Sequence, residues 1–157
     1  MISIRAFEER DAPSLVAIML EMAGFYGAVV QNGRNIDAEV LANAGQLDTL
    51  LALRDGEILA GFATFATLFP VGALVPFTYV QQVYVASSAR RLGVAQHLMA
   101  AVTRVAKDRG HVRVEWATSV ENSAARALYD GLGATGAHKI QYVLEGAAMD
   151  RLANMGG

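Results

Sequence analysis

The segment VYVASSARRLGVA, residues 83–95, reads as a strand, a short loop and the first turn of a helix. Its first three residues are apolar and suit a buried strand, and Gly93 lets the chain turn tightly before the helix. The first N–H groups of a helix have no partner within it, and the helix dipole places positive potential at the same point. With Arg90 and Arg91 beside it, this junction predicts a cradle for a phosphorylated ligand.

A single glycine between a strand and a helix more often serves turn geometry alone. Here Arg90, Arg91, Gly93 and the small Ala95 fall within one turn, so that a diphosphate could approach the backbone N–H groups without obstruction by a Cβ atom. Other nucleotide motifs are absent: the sequence contains neither Gly-x-x-x-x-Gly-Lys-Ser/Thr nor Gly-x-Gly-x-x-Gly after a strand. This argues against a P-loop or dinucleotide-binding fold.

Outward from this junction, strand and helix patterns alternate along the chain. Asp55-Gly56 indicates a hairpin, because both residues tolerate positive φ. The strands are predicted at residues 2–6, 47–54, 57–67, 77–85, 112–116 and 139–144, with a loop at 69–76. The helices are predicted after Pro13, at 37–44, from Val94 to Gly110, and from Asn122 or Ser123 to Gly131 or Gly133. The fifth strand follows a helix in the order of a parallel crossover.

Length and composition favour one domain over residues 1–157, with 54% hydrophobic and 18% charged residues. A net charge of −2 gives no general attraction for nucleic acid. The absence of cysteine excludes disulfides, thiolate metal sites and a cysteinyl intermediate. The three histidines lack metal-ligand spacing, so we expect no metal. We find neither a secretion signal nor a stretch of transmembrane length, and we expect a cytoplasmic protein that does not bind membranes.

Two motifs resemble those of one enzyme family. Arg90-x-x-Gly93-x-Ala95 is similar to the Arg/Gln-x-x-Gly-x-Gly/Ala acetyl-CoA signature of the GNAT N-acetyltransferases. Residues 121–134, ENSAARALYDGLGA, resemble the Asn-x-x-Ala-x-x-Leu-Tyr-x-x-x-Gly segment of that family. The resemblance covers nearly the whole chain and is strongest between residues 79 and 133. Two motifs at the expected separation are more specific than one.

The resemblance implies a single-domain α/β fold. Its sheet would be mixed, mostly antiparallel, splayed between the fourth and fifth strands and flanked by helices. Acetyl-CoA would be the co-substrate: the fourth-strand backbone would bind the pantetheine arm, and the loop after it would bind the pyrophosphate. The coenzyme-binding residues implied are Val83, Tyr84, Val85, Arg90, Arg91, Leu92, Gly93, Val94, Ala95, Gln96 and Asn122.

The resemblance also implies two catalytic groups. A backbone N–H near Val83 would face the thioester oxygen, and the Tyr129 hydroxyl would give a proton to the departing thiolate. Tyr129 could instead only pack its helix on the sheet, and Asn122 could serve as a helix N-cap. The general base is open, because Gln81 and Gln82 stand where the family often has a carboxylate. Ordered water, Glu115 or an amine that arrives neutral are the alternatives.

The acceptor is predicted to be a small-molecule primary amine, acetylated by direct transfer in a ternary complex. Met19, Met22, Phe25 and Tyr26 could line its pocket, although such residues more often belong to the core. Glu115-Trp116 resembles the polyamine and diamine acetyltransferases. Two alternatives are a noncatalytic acyl-CoA-binding regulatory module and a peptide or protein amino-terminal acetyltransferase. The resemblance also makes a homodimer plausible.

Overall fold

The computed structural model describes residues 1–30 and 33–155. The chain divides into two compact units, Met1–Ser119 and a second that begins at Val120. The single domain over residues 1–157 stays a prediction. Within the described ranges, no helix combines the length and the apolar character needed to cross a bilayer.

The first unit is built on a five-stranded sheet. Its strands are β1 (Ile2–Ala6), β2 (Asp48–Arg54), β3 (Ile58–Val71), β4 (Val75–Val85) and β5 (Val114–Glu115). They lie side by side in sequence order, with three antiparallel pairings followed by a parallel pairing of β4 with β5. The predicted mixed, mostly antiparallel α/β fold is confirmed.

Three helices accompany this sheet. They are α1 (Ala12–Phe25), α2 (Ile36–Ala44) and α3 (Val94–Asp108), with 3₁₀ turns at Glu9–Asp11 and Ser87–Ala89. Proline stands in the first turn of α1, where its missing N–H costs no hydrogen bond. The Asn35 side chain caps α2 by accepting the Ala38 N–H at 3.1 Å. All three helices agree with the sequence patterns within a few residues.

Helices α1 and α3 lie on opposite faces of the sheet. A Cβ at Gly61 of β3 would come within 3.0 Å of Val94 and 3.4 Å of Leu98, both on α3. The next residue, Phe62, faces the other way and packs beside Tyr84, which in turn contacts Phe25 of α1. Because successive strand residues point to opposite faces, α3 and α1 are separated by the sheet.

The hairpins agree with their turn signals, with one difference. Asp55 and Gly56 have φ values of 53° and 86°, as the predicted β2–β3 turn requires. The predicted loop at 69–76 is shorter than expected, because Val71 pairs with Val75 and the strands extend toward each other. Leu74 takes the positive φ that closes this tight turn.

The sheet opens between β4 and β5. Only Thr78 with Val114 and Tyr79 with Glu115 are paired in parallel. β5 then ends, whereas β4 continues to Val85. The predicted splay between the fourth and fifth strands is confirmed, and residues 80–85 form one side of the opening.

The second unit contains two helices, α4 (Ser123–Gly131) and α5 (Gly146–Ala153). The first was predicted and the second was not. The prediction of a strand at residues 139–144 is wrong: these residues form no strand pairing within the part of the chain that the structure describes. Their alternating apolar pattern is compatible with a strand, but a strand also needs a hydrogen-bonded neighbour, and Ile140 and Tyr142 are exposed instead.

Candidate active site

Some backbone N–H and C=O groups of β4 are not bonded to β3 and point toward the opening between β4 and β5. The Ala86 N–H donates to the Ala60 carbonyl at 2.9 Å, which makes these two residues a hydrogen-bonded pair. In an antiparallel ladder such pairs alternate with pairs whose N–H and C=O groups point away from each other. The register Gly61↔Val85, Phe62↔Tyr84 and Ala63↔Val83 is continuous from there. The N–H and C=O of Val83 and Val85 therefore point away from β3, to the side that β5 leaves open.

A register shift makes this orientation possible. At the closed end, the Thr78 N–H donates to the Arg113 carbonyl beside β5 at 3.1 Å. If the alternation of β4 were regular, the backbone N–H and C=O groups of its even-numbered residues would continue to face the β5 side along the whole strand. The shift between Thr64 and Phe65 leaves Gln81 without a register partner, so the odd-numbered residues face the opening beyond it. Gln81, one of the two amides that stand where the family often has a carboxylate, thus lies at the irregularity that directs the Val83 N–H toward the opening.

The loop between β4 and α3 has the shape of an anion cradle. Arg91 and Gly93 both have left-handed backbone angles, with φ of 65° and 74°. This conformation is costly for arginine, and a loop that keeps it must be held by its surroundings. Gly93 is the N-cap of α3, and no side chain caps the helix there. The first N–H groups of α3 are therefore open to an anionic ligand.

His97 closes the far end of this loop. Its Nδ1 lies 2.8 Å from the Gly93 carbonyl oxygen, and because a carbonyl only accepts, Nδ1 carries the proton. His97 lies in the first turn of α3 and is exposed. Its bond to Gly93 fixes the last peptide of the cradle against the first turn of α3.

Glu21 of α1 fastens the near end of the loop. Its Oε1 accepts the Ser87 backbone N–H at 2.8 Å and the Tyr84 hydroxyl at 3.0 Å. The Ser87 N–H lowers the pKa of Glu21, and the Tyr84 hydroxyl and the charge of Arg90 lower it further. Burial raises the pKa of Tyr84, and its bond to Glu21 raises it again. Glu21 is thus an ionised carboxylate that joins α1 to β4 and to the turn after it.

The two arginines of the motif have different surroundings. The Arg90 guanidinium lies 4.5 Å from the centre of the Phe25 ring, a cation–π contact with α1. Arg91 is exposed, and its side chain makes no ion pair or hydrogen bond with the residues that the structure describes. Arg91 is therefore the arginine whose charge is available to a ligand in the cradle.

The family model named "Acetyltransferase (GNAT) family" matches residues 13–134. This range holds the splayed strands, the cradle and α3, and it covers most of the chain. The chain belongs to the acetyltransferase (GNAT) family. The family prediction made from the two motifs is confirmed.

Known proteins and solved structures resemble the chain to different extents. The thialysine N-epsilon-acetyltransferase of Caenorhabditis elegans is 30% identical over 82 residues, and this alignment spans about half of each protein, 50% and 51%. An integron cassette protein from the mobile metagenome of V. cholerae has a TM-score of 0.81 at 25% identity, over 98% of both chains. The aminoglycoside acetyltransferase AAC(6')-Iy has a TM-score of 0.73 at 22% identity, over 94% and 99%, and shows a shared fold.

Two motif residues of the second unit, Asn122 and Tyr129, lie at the N-cap of α4 and within it. The Asn122 Oδ1 accepts the Ala125 N–H at 3.2 Å, so its N-cap role is confirmed. Tyr129 lies in the last turns of the helix and is half-buried. Its catalytic role stays a prediction, as does the alternative that it only packs the helix.

The side-chain candidate for the general base, Glu115, and the amide of Gln82 have different surroundings. Glu115 ends β5 and forms an ion pair with Arg113, with 2.7 Å between Oε1 and Nε. Gln82 lies on β4 opposite Thr64, and its Nε2 is 3.5 Å from the Val83 carbonyl.

Among the described residues, no group of three or more histidine or acidic side chains is arranged to hold a metal ion.

Sequence reasoning missed one residue of this candidate site, Glu21. Glu21 stands among the residues of the first helix, where its neighbours Met22 and Phe25 were considered for an acceptor pocket. A charged residue on an otherwise apolar stretch from residue 15 to 25 was the available signal. Its partner Ser87 is 66 positions away, so no local pattern could have connected the two residues.

Proposed function

We propose that this protein transfers the acetyl group of acetyl-CoA to a primary amine of a small molecule, directly and within a ternary complex. One observation supports this most strongly: in a chain of the GNAT family, the outward-facing N–H groups of Val83 and Val85 lead into a glycine-containing anion cradle. Acetyl-CoA has groups in the matching order along its length: a thioester and an extended pantetheine arm, and then a diphosphate.

The proposed coenzyme contacts follow from that arrangement. The backbone of Val83, Tyr84 and Val85 would hold the pantetheine arm, chiefly through the groups that face the opening. The diphosphate would lie on the backbone N–H groups of residues 91–96, beside the exposed Arg91 side chain. Arg90 would add positive charge to the cradle from its place on Phe25. Asn122, as a helix cap, would act on the coenzyme only indirectly.

The proposed chemistry needs a hydrogen-bond donor that stabilises the oxyanion and a proton donor for the departing thiolate. When the amine attacks the thioester, the carbonyl oxygen becomes an oxyanion, and the Val83 N–H would stabilise it. Such a preorganised donor lowers a barrier by roughly 3 kcal/mol. Tyr129 would donate its phenolic proton as the C–S bond breaks and the thiolate leaves. The acetyl group passes straight to nitrogen, and no covalent enzyme intermediate forms.

We propose that the amine loses its proton without help from Glu115, whose carboxylate is held in an ion pair with Arg113. An ordered water, or an amine that arrives already neutral, would then serve. Because Gln81 and Gln82 cannot accept a proton at useful pH, we propose no side-chain base on β4.

A small acceptor is supported by what similar proteins are named for. The C. elegans relative is named for N-epsilon acetylation of thialysine, and the AAC(6')-Iy structure holds the bisubstrate analogue CoA-S-monomethyl-acetylneamine. Phe25 and Tyr26 at the end of α1 are more than half exposed and offer aromatic surface to such an amine. We propose that they line part of the acceptor site.

Thiol release from acetyl-CoA tests this function. The assay would use a panel of diamines, amino acids including thialysine, aminoglycosides and short peptides. We expect release with at least one small amine and no release with peptides. Measurable CoA binding without release for any acceptor would favour the regulatory module, and release with peptides alone would favour an amino-terminal acetyltransferase.

Four statements about the protein's surroundings stay predictions: a homodimer, a cytoplasmic location, no nucleic acid partner and no membrane association. Light scattering of the purified protein tests the first. Fractionation of cells that express the tagged chain tests the second and the fourth. Titration with labelled DNA and RNA at moderate salt tests the third.

A further inference from the structure

We propose that Glu21 is a positioning residue for coenzyme binding: its carboxylate holds the loop that forms the cradle without touching the coenzyme. This inference rests on the proposed function, because it assumes that CoA occupies the loop. Glu21 belongs to α1, on the face of the sheet opposite α3, and it is not part of either family motif.

The contacts of Glu21 converge on the start of the cradle. One oxygen, Oε1, accepts both the Ser87 N–H and the Tyr84 hydroxyl. Tyr84 is 4% exposed and is fixed by its packing, so the hydroxyl is a stable anchor for the carboxylate. The same carboxylate then fixes Ser87, the first residue of the 3₁₀ turn that precedes the cradle.

The rest of the loop requires such an anchor. Arg91 holds a left-handed backbone conformation, which a side-chain-bearing residue keeps only when its neighbours enforce it. The loop is bound at its far end by His97 to Gly93 and at its near end by Glu21 to Ser87. Freeing the near end would let residues 87–91 relax toward unstrained angles, and the N–H groups would no longer converge.

Arg90 supports the same arrangement from the side. Its guanidinium rests on the Phe25 ring of α1, one helical turn from Glu21, and its charge lowers the pKa of Glu21. Glu21 therefore offsets part of the charge of Arg90 beside the cradle. Arg91 forms no ion pair among the described residues, so it would contribute the larger share of the positive charge next to the proposed diphosphate.

Two physical effects of Glu21 on CoA affinity have opposite signs, and this makes the inference testable. A negative charge near a diphosphate site repels the ligand, so removing it should tighten binding. A positioning bond preorganises the site, so removing it should weaken binding. We expect the loss of preorganisation to dominate when the acceptor oxygen is removed. Glu21→Ala removes both the charge and the acceptor oxygen, whereas Glu21→Gln removes the charge alone, so the two variants separate the effects.

The experiment measures CoA binding by isothermal titration and acetyl-CoA kinetics with the best acceptor. Glu21→Ala should raise the Kd for CoA and the KM for acetyl-CoA roughly tenfold, with kcat at saturating acetyl-CoA changed less than about twofold. Glu21→Gln keeps an acceptor oxygen for the Ser87 N–H, so its Kd should stay within about threefold of the wild type. Tyr84→Phe removes the hydroxyl that donates to the Glu21 carboxylate, so its Kd for CoA should lie between those of the two Glu21 variants. Glu57→Gln, an exposed site at the β2–β3 turn, is the matched control.

The outcomes are distinct. Unchanged or tighter CoA binding by a folded Glu21→Ala variant overturns the positioning role, and so does an equal loss of kcat and kcat/KM. Thermal unfolding of each variant identifies a loss that comes from the fold alone. If the wild type itself binds no CoA, the proposed function fails, whereas a wild type that binds normally beside an unaffected variant rejects only this inference.

Discussion

The side chains of Thr78 and His111 meet at 2.8 Å at the closed end of the opening between β4 and β5. Thr78 is fully buried and lies on β4 in the first paired row with β5, and His111 lies in the connection from α3 to β5. Their hydrogen bond satisfies two polar groups inside the core. It joins the strand that carries the proposed site to the segment that sets where the sheet begins to separate.

Replacing His111 should destabilise the protein. His111→Leu leaves the Thr78 hydroxyl buried without this partner, which costs about 1–3 kcal/mol of unfolding free energy. Urea unfolding measures the difference. In the double variant Thr78→Val with His111→Leu, both polar groups are absent, and the loss should be smaller than the sum of the two single losses. Strict additivity would show that the two side chains do not depend on each other.

Replacing Gly93 should separate backbone strain from charge. Gly93 has a φ of 74°, and a Cβ there would lie 3.6 Å from the His97 ring, an ordinary contact. Asn and Asp tolerate this conformation better than other residues, so both Gly93→Asn and Gly93→Asp should fold. The Asp variant adds negative charge where the diphosphate is proposed to lie.

We therefore expect Gly93→Asp to raise the Kd for CoA at least tenfold above that of Gly93→Asn, about 1.4 kcal/mol or more. Isothermal titration at fixed ionic strength provides the comparison. Equal affinities for the two variants would show that the coenzyme's anionic groups bind away from Gly93.

Replacing Tyr129 tests its proposed role as the acid. Tyr129→Phe keeps the ring and removes only the hydroxyl, so packing of α4 should persist. We expect kcat to fall about 100-fold, within the range typical of a lost general acid, with the KM for acetyl-CoA nearly unchanged. Steady-state kinetics measures both constants. A variant with wild-type kcat would leave Tyr129 with a packing role alone.

The ion pair between Arg5 and Asp11 should make stability sensitive to acid. The Arg5 guanidinium bonds both oxygens of Asp11 at 2.6 and 2.7 Å and lowers the pKa of Asp11 to about 2 from 3.8. A carboxyl group with a depressed folded-state pKa contributes its full stability above the unfolded-state pKa. This contribution should be lost as the pH falls from about 4 toward 2.

Acid unfolding followed by circular dichroism measures this effect. Asp11→Asn should lower stability at pH 7 and flatten the fall in stability between pH 4 and pH 2. The exposed Asp37→Asn serves as the control and should leave the acid transition in place. An acid transition of unchanged steepness in Asp11→Asn would assign it to other carboxyl groups.

Much of the first unit could be predicted from local pattern. Alternating apolar residues placed β1 to β4, and Asp55-Gly56 placed the turn between two of them, because these features depend on neighbours in the sequence. The segment 139–144 shows the limit of this reasoning. Its alternation indicates a strand, but pairing depends on a distant partner, and the pattern carries no information about that partner.

The same distinction applies to the site. The strand, loop and helix start that form the proposed cradle were predictable, because Arg90 to Ala95 are adjacent in the sequence and a helix start is a local feature. The orientation of the Val83 N–H was not, because it depends on the register shift opposite Thr64 and Phe65. The anchoring of the loop by Glu21 depends likewise on a contact between residues far apart in the sequence.

A crystal structure with CoA bound shows whether the coenzyme occupies the cradle. We expect the diphosphate on the backbone N–H groups of residues 91–96 and the pantetheine arm along the free edge of β4, within hydrogen-bond distance of Val83 and Val85. Coenzyme bound at any other surface, with that edge and the cradle unoccupied, would contradict it.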